Sequence, residues 1–289
     1  MIRAFLVLFA LLLAFDAVAG KQCLGTGGSL LIVDETLVFS LNPDGPENQL
    51  KATLCMPLID RPGILFDYSS WDVGFFNYLS PIYDQQGITV GLVPLSFLEL
   101  RFDASAVGIW PVSSFNGAGY FAFPGYTRQY TEAELQGSRA AAAYGANVTF
   151  GARLQAEVPV FNDTLTITNS FALDYWHVGA ASHYYNARRD VILARSDFLL
   201  KNTANVLFKI KASDTVSLQF GVQDDLTVVP ASGYVANVIG LFLSVPIRRE
   251  GTLRDIEPFV RLGSYTHHAY RGGFQVFGGI SVAWGLRRR

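Results

Sequence analysis

The chain of 289 residues has a formal net charge of −2, and only 16% of its residues are charged, against about 25% in a typical soluble domain. This balance argues against a nucleic-acid partner, which would require a basic patch. Yet 50% of the residues are hydrophobic, and the mean hydropathy is +0.27. Beyond the N-terminus, no run approaches the roughly 18 apolar residues of a membrane helix. Strands that turn one face to lipid would explain both features.

Residues 1–19 have the layout of a secretory signal. Arg3 gives a positive start, residues 4–15 form an unbroken apolar run, and Ala17 and Ala19 are the small residues that a signal peptidase reads. We therefore expect residues 1–19 to be cleaved and the mature chain, a single domain over 20–289, to be exported. A membrane anchor is the alternative, although the apolar run is short for a bilayer span.

The two cysteines, Cys23 and Cys55, flank the first predicted hairpin. In an exported chain we expect them to form one disulfide, because the compartment that receives the chain is oxidising. Two free, buried thiols are the alternative.

The dominant pattern of the mature chain is alternation of apolar residues with polar or small ones, which is typical of strands with two different faces. The alternation is unbroken over 144–158, longer than the usual soluble strand of about 5–6 residues, and suits a tilted strand that crosses a bilayer. Residues 98–106 and 216–223 repeat it. We predict an all-β fold, a closed antiparallel transmembrane β-barrel. A soluble sandwich, with the apolar faces in a shared core, is the alternative.

Turn-forming residues divide the mature chain into twelve predicted strands. They lie at 29–41, 50–57, 63–80, 86–93, 97–110, 139–159, 163–178, 187–210, 214–228, 232–247, 254–268 and 272–286. An even number places both termini on one side, the periplasmic side. The tight connections near 94–96, 161–163 and 212–214 fall on that side together with both cysteines, and 111–137 and 179–186 fall outside. Short inner turns and long outer loops are typical of such barrels.

The last predicted strand carries Phe274, Ile280 and Trp284 on one face within residues 273–286. It resembles the closing strand of Gram-negative outer-membrane proteins, which the outer-membrane assembly machinery recognises. The resemblance implies a barrel in the bacterial outer membrane, with membrane lipids and that machinery as partners. It concerns the architecture of the whole mature chain and implies no particular family.

Polar and ionisable side chains recur on the inner faces of the predicted strands. As residues that line the pore we predict Glu99, Arg101, Asp103, Asn147, Arg153, Gln155, Glu157, Gln219, Gln223, Glu257 and Arg261. Buried charge is costly unless it is paired or hydrated, so the leading hypothesis is a passive, water-filled channel for small polar solutes. The alternative is a structural or ligand-binding barrel, whose lumen is closed by a salt-bridge network and whose outer loops carry the function.

The segment 111–137 is rich in aromatic residues. We predict that Tyr120, Phe121, Phe123, Tyr126 and Tyr130 fold inward as a constriction or form a ligand-binding loop. A self-packed outer loop is the alternative.

An outer-membrane lipid hydrolase is the third hypothesis, because such enzymes are small barrels that use a Ser/His pair. Ser182 precedes His183, and Ser264 lies three residues before His267. In each pair one residue has an even number and the other an odd number, so on a strand the two side chains would point to opposite faces. We therefore predict no catalytic residue. The four histidines and two distant cysteines lack metal-ligand spacing, and we expect neither a metal nor a cofactor.

Overall fold

The structure, a computed structural model, describes residues 30–42, 45–59, 63, 65–66, 68–110, 120–123, 125–126, 142–249, 251–268 and 271–287. These residues form strands, turns and irregular connections. None of them belongs to a helix with the length and apolar character that crossing a membrane requires. The predicted signal segment and Cys23 lie outside the described residues, so the cleavage and the disulfide stay predictions.

Twelve long strands build the wall of a closed antiparallel barrel. They are β1 Leu30–Leu41, β2 Gly45–Pro57, β3 Ser70–Leu79, β4 Tyr83–Leu95, β5 Leu98–Ile109, β7 Ala143–Val160, β8 Asp163–Val178, β11 Ser196–Lys211, β12 Ser217–Val229, β13 Tyr234–Ser244, β15 Leu253–His267 and β16 Phe274–Arg287. Four short strands complete the count: β6 Ala122–Phe123, β9 His183–Asn186, β10 Val191–Ala194 and β14 Ile247–Arg248. Each wall strand pairs with the wall strands before and after it in the chain, and the pairing of β1 with β16 closes the barrel.

The two faces of the wall have opposite polarity, as the alternation predicts. On β7, Tyr144 is 75% exposed and Phe150 48% exposed, whereas Asn147 between them is buried. Large apolar side chains are exposed in this way on most wall strands. In a sandwich those side chains would fill a shared core. The soluble-sandwich alternative is therefore wrong, and the apolar face is the outer face of a barrel.

Both described chain ends lie at the same end of the barrel, because Leu30 and Arg287 are register partners. We call this the terminal end and the opposite one the loop end. The tight turns at 96–97 and 161–162 lie at the terminal end, and the long connections 110–142 and 179–195 lie at the loop end. These connections thus lie at the predicted ends, but the separation is incomplete, because the long connection 58–69 also lies at the terminal end and the short one at 42–44 lies at the loop end.

The predicted strand starts needed their largest corrections at two places. β3 begins at Ser70 rather than at 63, and β11 begins at Ser196 rather than at 187. At the second place the chain reverses around Asp190, which has a φ of 55°. Residues 191–194 then pair with 183–186, so the start of the predicted strand belongs to a separate hairpin.

Candidate functional site: a charged lumen with a plugged mouth

Arg101 on β5 is the centre of one ion-pair network on the inner wall. Its Nη1 lies 3.1 Å from Asp72 Oδ1, and its Nη2 lies 2.6 Å from Glu99 Oε1. Nη1 also donates a hydrogen bond to Thr89 Oγ1 at 2.9 Å. Two carboxylates therefore flank one guanidinium, and the charge-assisted hydrogen bonds hold the side chain in place.

A second network connects β11, β12, β15 and β16 in another sector of the wall. Arg261 is paired with Asp225. Arg261 Nη2 donates to Gln275 Oε1 at 2.6 Å, and Thr203 Oγ1 donates to Asp225 Oδ1 at 2.6 Å. As around Arg101, charge in the interior is paired, which lowers the cost of placing it there.

All eleven predicted pore-lining residues occupy inward-facing positions of wall strands. They alternate with outward-facing apolar residues such as Phe102 and Phe220. Glu99, Arg101 and Arg261 are held in ion pairs, whereas Arg153 is exposed to solvent. Their role in lining a solute path stays a prediction.

The loop end of the lumen is filled by an apolar core. The wall contributes Tyr83, Val107, Ile109, Ala143, Trp176, Val178, Leu199, Val229 and Tyr234, and the two long loops contribute Tyr120, Tyr184, Val191 and Leu193. None of these residues is more than 8% exposed. In an open mouth the wall residues among them would face water, so the two long loops cover the mouth along the strands from β4 to β13.

Residues 183–194 form a hairpin inside this core, which we call the plug hairpin. Its strands β9 and β10 pair with each other, with Tyr184 opposite Leu193. Strand β6 adds to β9, with Ala122 opposite Tyr184. Among the described strands, this three-stranded sheet shares no ladder with the wall. Apart from backbone hydrogen bonds at its base and to β6, the plug hairpin is therefore held by its side chains.

Two arginines at the tip of the plug hairpin reach distant parts of the wall. Arg188 Nε lies 3.5 Å from Glu47 Oε2 on β2, and Arg188 Nη1 donates to Gln85 Oε1 on β4 at 2.8 Å. Arg189 Nη2 lies 2.5 Å from Asp174 Oδ2 on β8. The tip thus bridges the lumen between well-separated strands and places two positive charges across it.

Asp190, next to these arginines, is held by the loop that joins β15 to β16. Its Oδ2 accepts a hydrogen bond from Arg271 Nε at 2.5 Å and lies 3.1 Å from His268 Nε2, and Tyr185 OH donates to its Oδ1 at 2.5 Å. Burial alone would raise the pKa of Asp190, but the hydrogen bond from His268 and the charge of Arg271 outweigh burial and hold the pKa below its ordinary value. A charged carboxylate therefore latches the hairpin to this loop at neutral pH.

The described residues of the predicted aromatic loop, 120–123 and 125–126, pack on the plug hairpin. Tyr120, Phe121 and Phe123 are buried, and Tyr126 OH donates to Asp197 Oδ2 at 2.5 Å. Burial and this hydrogen bond raise the pKa of Tyr126. Tyr130 lies outside the described residues. A role of this loop in constriction or ligand binding stays a prediction.

Sequence reasoning missed the plug hairpin because it assigned 187–210 to one wall strand. A signal was present in Arg188, Arg189 and Asp190, three consecutive charges that interrupt the alternation. A strand that crosses a bilayer turns every second residue to lipid, where charge is costly, so such a run belongs outside the wall.

The serine–histidine combinations considered in the sequence do not pair. The hydroxyls of Ser182 and Ser264 donate to backbone carbonyls instead. A different pair, His177 Nδ1 and Ser196 Oγ, lies 2.7 Å apart on adjacent strands. Among the described residues no carboxylate contacts His177, so the third member of a triad is missing. The described part of the chain also contains no cluster of three metal-ligating side chains.

Comparison with known proteins finds similarity at the level of architecture. No family model matches the chain, and no curated protein matches it significantly. Among solved structures, the KdgM porin in complex with disordered oligogalacturonate is 10% identical, with 89% of this chain and 99% of that chain covered and a TM-score of 0.38. The NanC porin is 10% identical, with coverages of 88% and 100% and a TM-score of 0.41.

The translocator domain of the autotransporter NalP from Neisseria meningitidis is 11% identical, with 90% of each chain covered and a TM-score of 0.41. These structural neighbours are outer-membrane β-barrels. The closed twelve-stranded barrel of the structure itself confirms the predicted barrel architecture. The likeness concerns the barrel architecture alone and carries no argument about function.

Proposed function

We propose that the protein is a passive channel of the bacterial outer membrane for small polar solutes. In this proposal the path runs through the charged lumen, and the plug hairpin closes its loop end. The observation that carries the proposal is the construction of the mouth: the plug hairpin belongs to a separate sheet and bridges the lumen through side chains. It can therefore move without opening any wall ladder. In a small barrel whose lumen is permanently filled, the side chains of the wall can fill it alone, without a separate hairpin.

The contacts that hold the tip of the plug hairpin suit a structure that opens and closes. The Arg188–Glu47 pair has the longer separation, 3.5 Å, and both of its side chains keep some contact with solvent, so its attraction is the weaker of the two. The Arg189–Asp174 pair is more buried and more costly to break. When two states differ by only a few kcal/mol, conditions and ligands set their populations.

The orientation and partners belong to the same proposal. We place the terminal end in the periplasm and the loop end outside, since short turns mark the periplasmic side of such barrels. Membrane lipids would cover the apolar outer face, and the assembly machinery would recognise the closing strand. Export through the cleaved segment 1–19 is part of the proposal.

Single-channel recording in planar bilayers tests this function. The wild-type protein is compared with a variant in which a short Gly-Ser linker replaces residues 183–194. We expect rare or small openings in the wild type and steady conductance in the variant. Heat-modifiable gel migration serves as the control that both proteins are folded. A folded variant without any conductance would contradict the channel function.

A closed structural or ligand-binding barrel is the second candidate, and the apolar core at the mouth favours it. That core combines wall residues with both long loops, so it could serve as a permanent seal. In that case the folded linker variant would conduct no ions, and the loop surface would be the site to examine.

A further inference from the structure

We infer that the lumen contains a binding site for the ring of a neutral sugar, built on three phenylalanines of neighbouring wall strands. They are Phe242 on β13, Phe259 on β15 and Phe277 on β16, and we call them the phenylalanine patch. The site deepens the proposed function, because it names the solute class of the channel. Its part in transport rests on that function, whereas binding of the sugar does not.

All three rings belong to the inner face of the wall. Phe242 lies between two outward-facing leucines that are 66% and 42% exposed. Arg261 is the register partner of Phe242 on one side and of Phe277 on the other. Phe259 precedes Arg261 by two residues. Because register partners share a face, as do alternate residues of one strand, the three rings point into the lumen together.

The rings contact one another across the strands. The centroids of Phe242 and Phe259 lie 6.2 Å apart with an interplanar angle of 20°, and those of Phe259 and Phe277 lie 5.8 Å apart at 37°. Phe259 is opposite Gly279, and a Cβ atom at that glycine would lie 3.1 Å from Phe259 Cζ. The ring of Phe259 therefore reaches over the glycine and lies along the wall. The patch is one continuous apolar surface inside a polar lumen.

Each ring of the patch stays partly exposed. Packing can bury an inward-facing ring completely in this barrel, as it does for Phe76 on β3, which is 2% exposed. Apolar surface that faces water is unfavourable, and an apolar patch with a polar rim is typical of a ligand-binding groove. The partial exposure therefore indicates a surface that a solute can cover.

Polar groups border the patch toward both ends of the barrel. Toward the loop end, Arg261 Cζ lies 5.3 Å from the centroid of Phe277, and this guanidinium is already paired with Asp225. Toward the terminal end, Glu257 and Ser281 are register partners. Their carboxylate and hydroxyl oxygens can accept hydrogen bonds. Because the cation is paired and the acceptors include a carboxylate, the rim favours a neutral solute with hydroxyl groups over an anion.

A pyranose ring combines the properties that the patch and its rim require. Its C–H groups form an apolar face, and the negative face of an aromatic ring attracts such groups. Its hydroxyl groups lie around the edge, where they can donate to the acceptors of the rim. It is also water-soluble, so it can enter a charged lumen. A purely aromatic solute would stack on the rings but leave the polar groups of the rim without partners.

Saturation-transfer NMR tests the binding with the full-length folded protein in a sugar-free detergent. The aromatic protons of the protein are irradiated, and the transfer to glucose is compared with the transfer to sorbitol, an open-chain polyol. We expect strong transfer to the ring C–H groups of glucose and little to sorbitol. Equal transfer to both probes, or tighter binding of phenol than of glucose, would overturn the assignment to a sugar ring.

Variants locate the site. Phe259→Leu keeps an apolar side chain but removes the flat face, and it should weaken glucose binding about two- to tenfold, the range expected for one ring contact. Phe259→Tyr keeps the face and should bind like the wild type. The matched control is Phe102→Leu, which removes an outward-facing ring and should change nothing. Unchanged glucose binding in a folded Phe242→Leu/Phe259→Leu/Phe277→Leu variant would overturn the site.

Conductance tests the part of the patch in transport, with the plug hairpin replaced by the Gly-Ser linker. Maltotriose should reduce the ion current through this protein, and the triple leucine variant should lose that response. A current that maltotriose leaves unchanged would overturn the role in transport. If no folded variant conducts, the channel function has failed, and the NMR results still decide whether the patch binds a sugar.

Discussion

Removal of the Arg189 charge should destabilise the closed mouth strongly. Asp174 is 0% exposed, and Arg189 Nη2 lies 2.5 Å from its Oδ2. Breaking a buried pair by removing one partner costs about 3–5 kcal/mol, because the other charge stays buried. Arg189 is 15% exposed, and Thr149 Oγ1 still donates to Asp174 at 2.8 Å, so we take the lower figure of about 3 kcal/mol.

The variant Arg189→Met carries this perturbation without removing the volume of the side chain. In the closed state Asp174 would lose its partner, whereas in the open state water could reach it. A shift of about 3 kcal/mol changes the ratio of open to closed states by roughly a hundredfold, since each 1.4 kcal/mol is a factor of ten. Open probability in planar bilayers is the measurement, and a large increase is expected.

Two matched variants separate electrostatics from packing. Arg189→Lys keeps the charge and should change open probability much less. Adding Asp174→Asn to Arg189→Met removes the unpaired charge, so the double variant should recover most of the closed population. If the double variant stays as open as Arg189→Met, the reasoning from a buried, unpaired carboxylate is refuted.

Three further predictions concern other contacts of the plug hairpin, the inner wall and the aromatic loop. The depressed pKa of Asp190 means that its latch contributes fully above the ordinary carboxyl range and weakens only as pH falls through the lowered value. Open probability should therefore be flat from pH 7 to about 5 and rise below about 4, and Asp190→Asn should abolish this step. Arg101→Met should lower urea resistance of the folded barrel, since buried Asp72 loses its cation, and adding Asp72→Asn should restore it. Tyr126→Phe should cost only about 1 kcal/mol in closure, because Asp197 keeps two backbone donors; a larger loss in bilayer recordings would contradict this.

The wall could be predicted from sequence because its determinant is local. Apolar residues such as Tyr144 and Phe150 alternate with polar ones such as Asn147, and a strand sends successive side chains to opposite faces. Twelve strands, and the end of the barrel at which the long connections 110–142 and 179–195 lie, follow from that pattern and from turn-forming residues. The same parity also gave the inward-facing positions of the eleven polar residues.

Pairing among those residues could not be predicted in the same way. Arg101 selects Asp72 and Glu99, and Arg261 selects Asp225, from strands that meet only when register is set around the whole barrel. The alternation along a strand shows which face of the wall a charged side chain occupies. It does not show which residue pairs with that side chain, because several carboxylates share the same face.

The sequence by itself determined a barrel with an apolar outer face and a polar inner face. The reason is that apolar and polar residues alternate along the chain with the two-residue repeat of a strand. Only the tertiary structure decided that a hairpin bridges the lumen at the loop end. The plug hairpin depends on Glu47, Asp174 and Arg271, which are distant in the chain and lie around the hairpin only in the folded barrel. Contacts between residues that are far apart in the chain produce no periodic pattern in the sequence, so they could not be predicted from it.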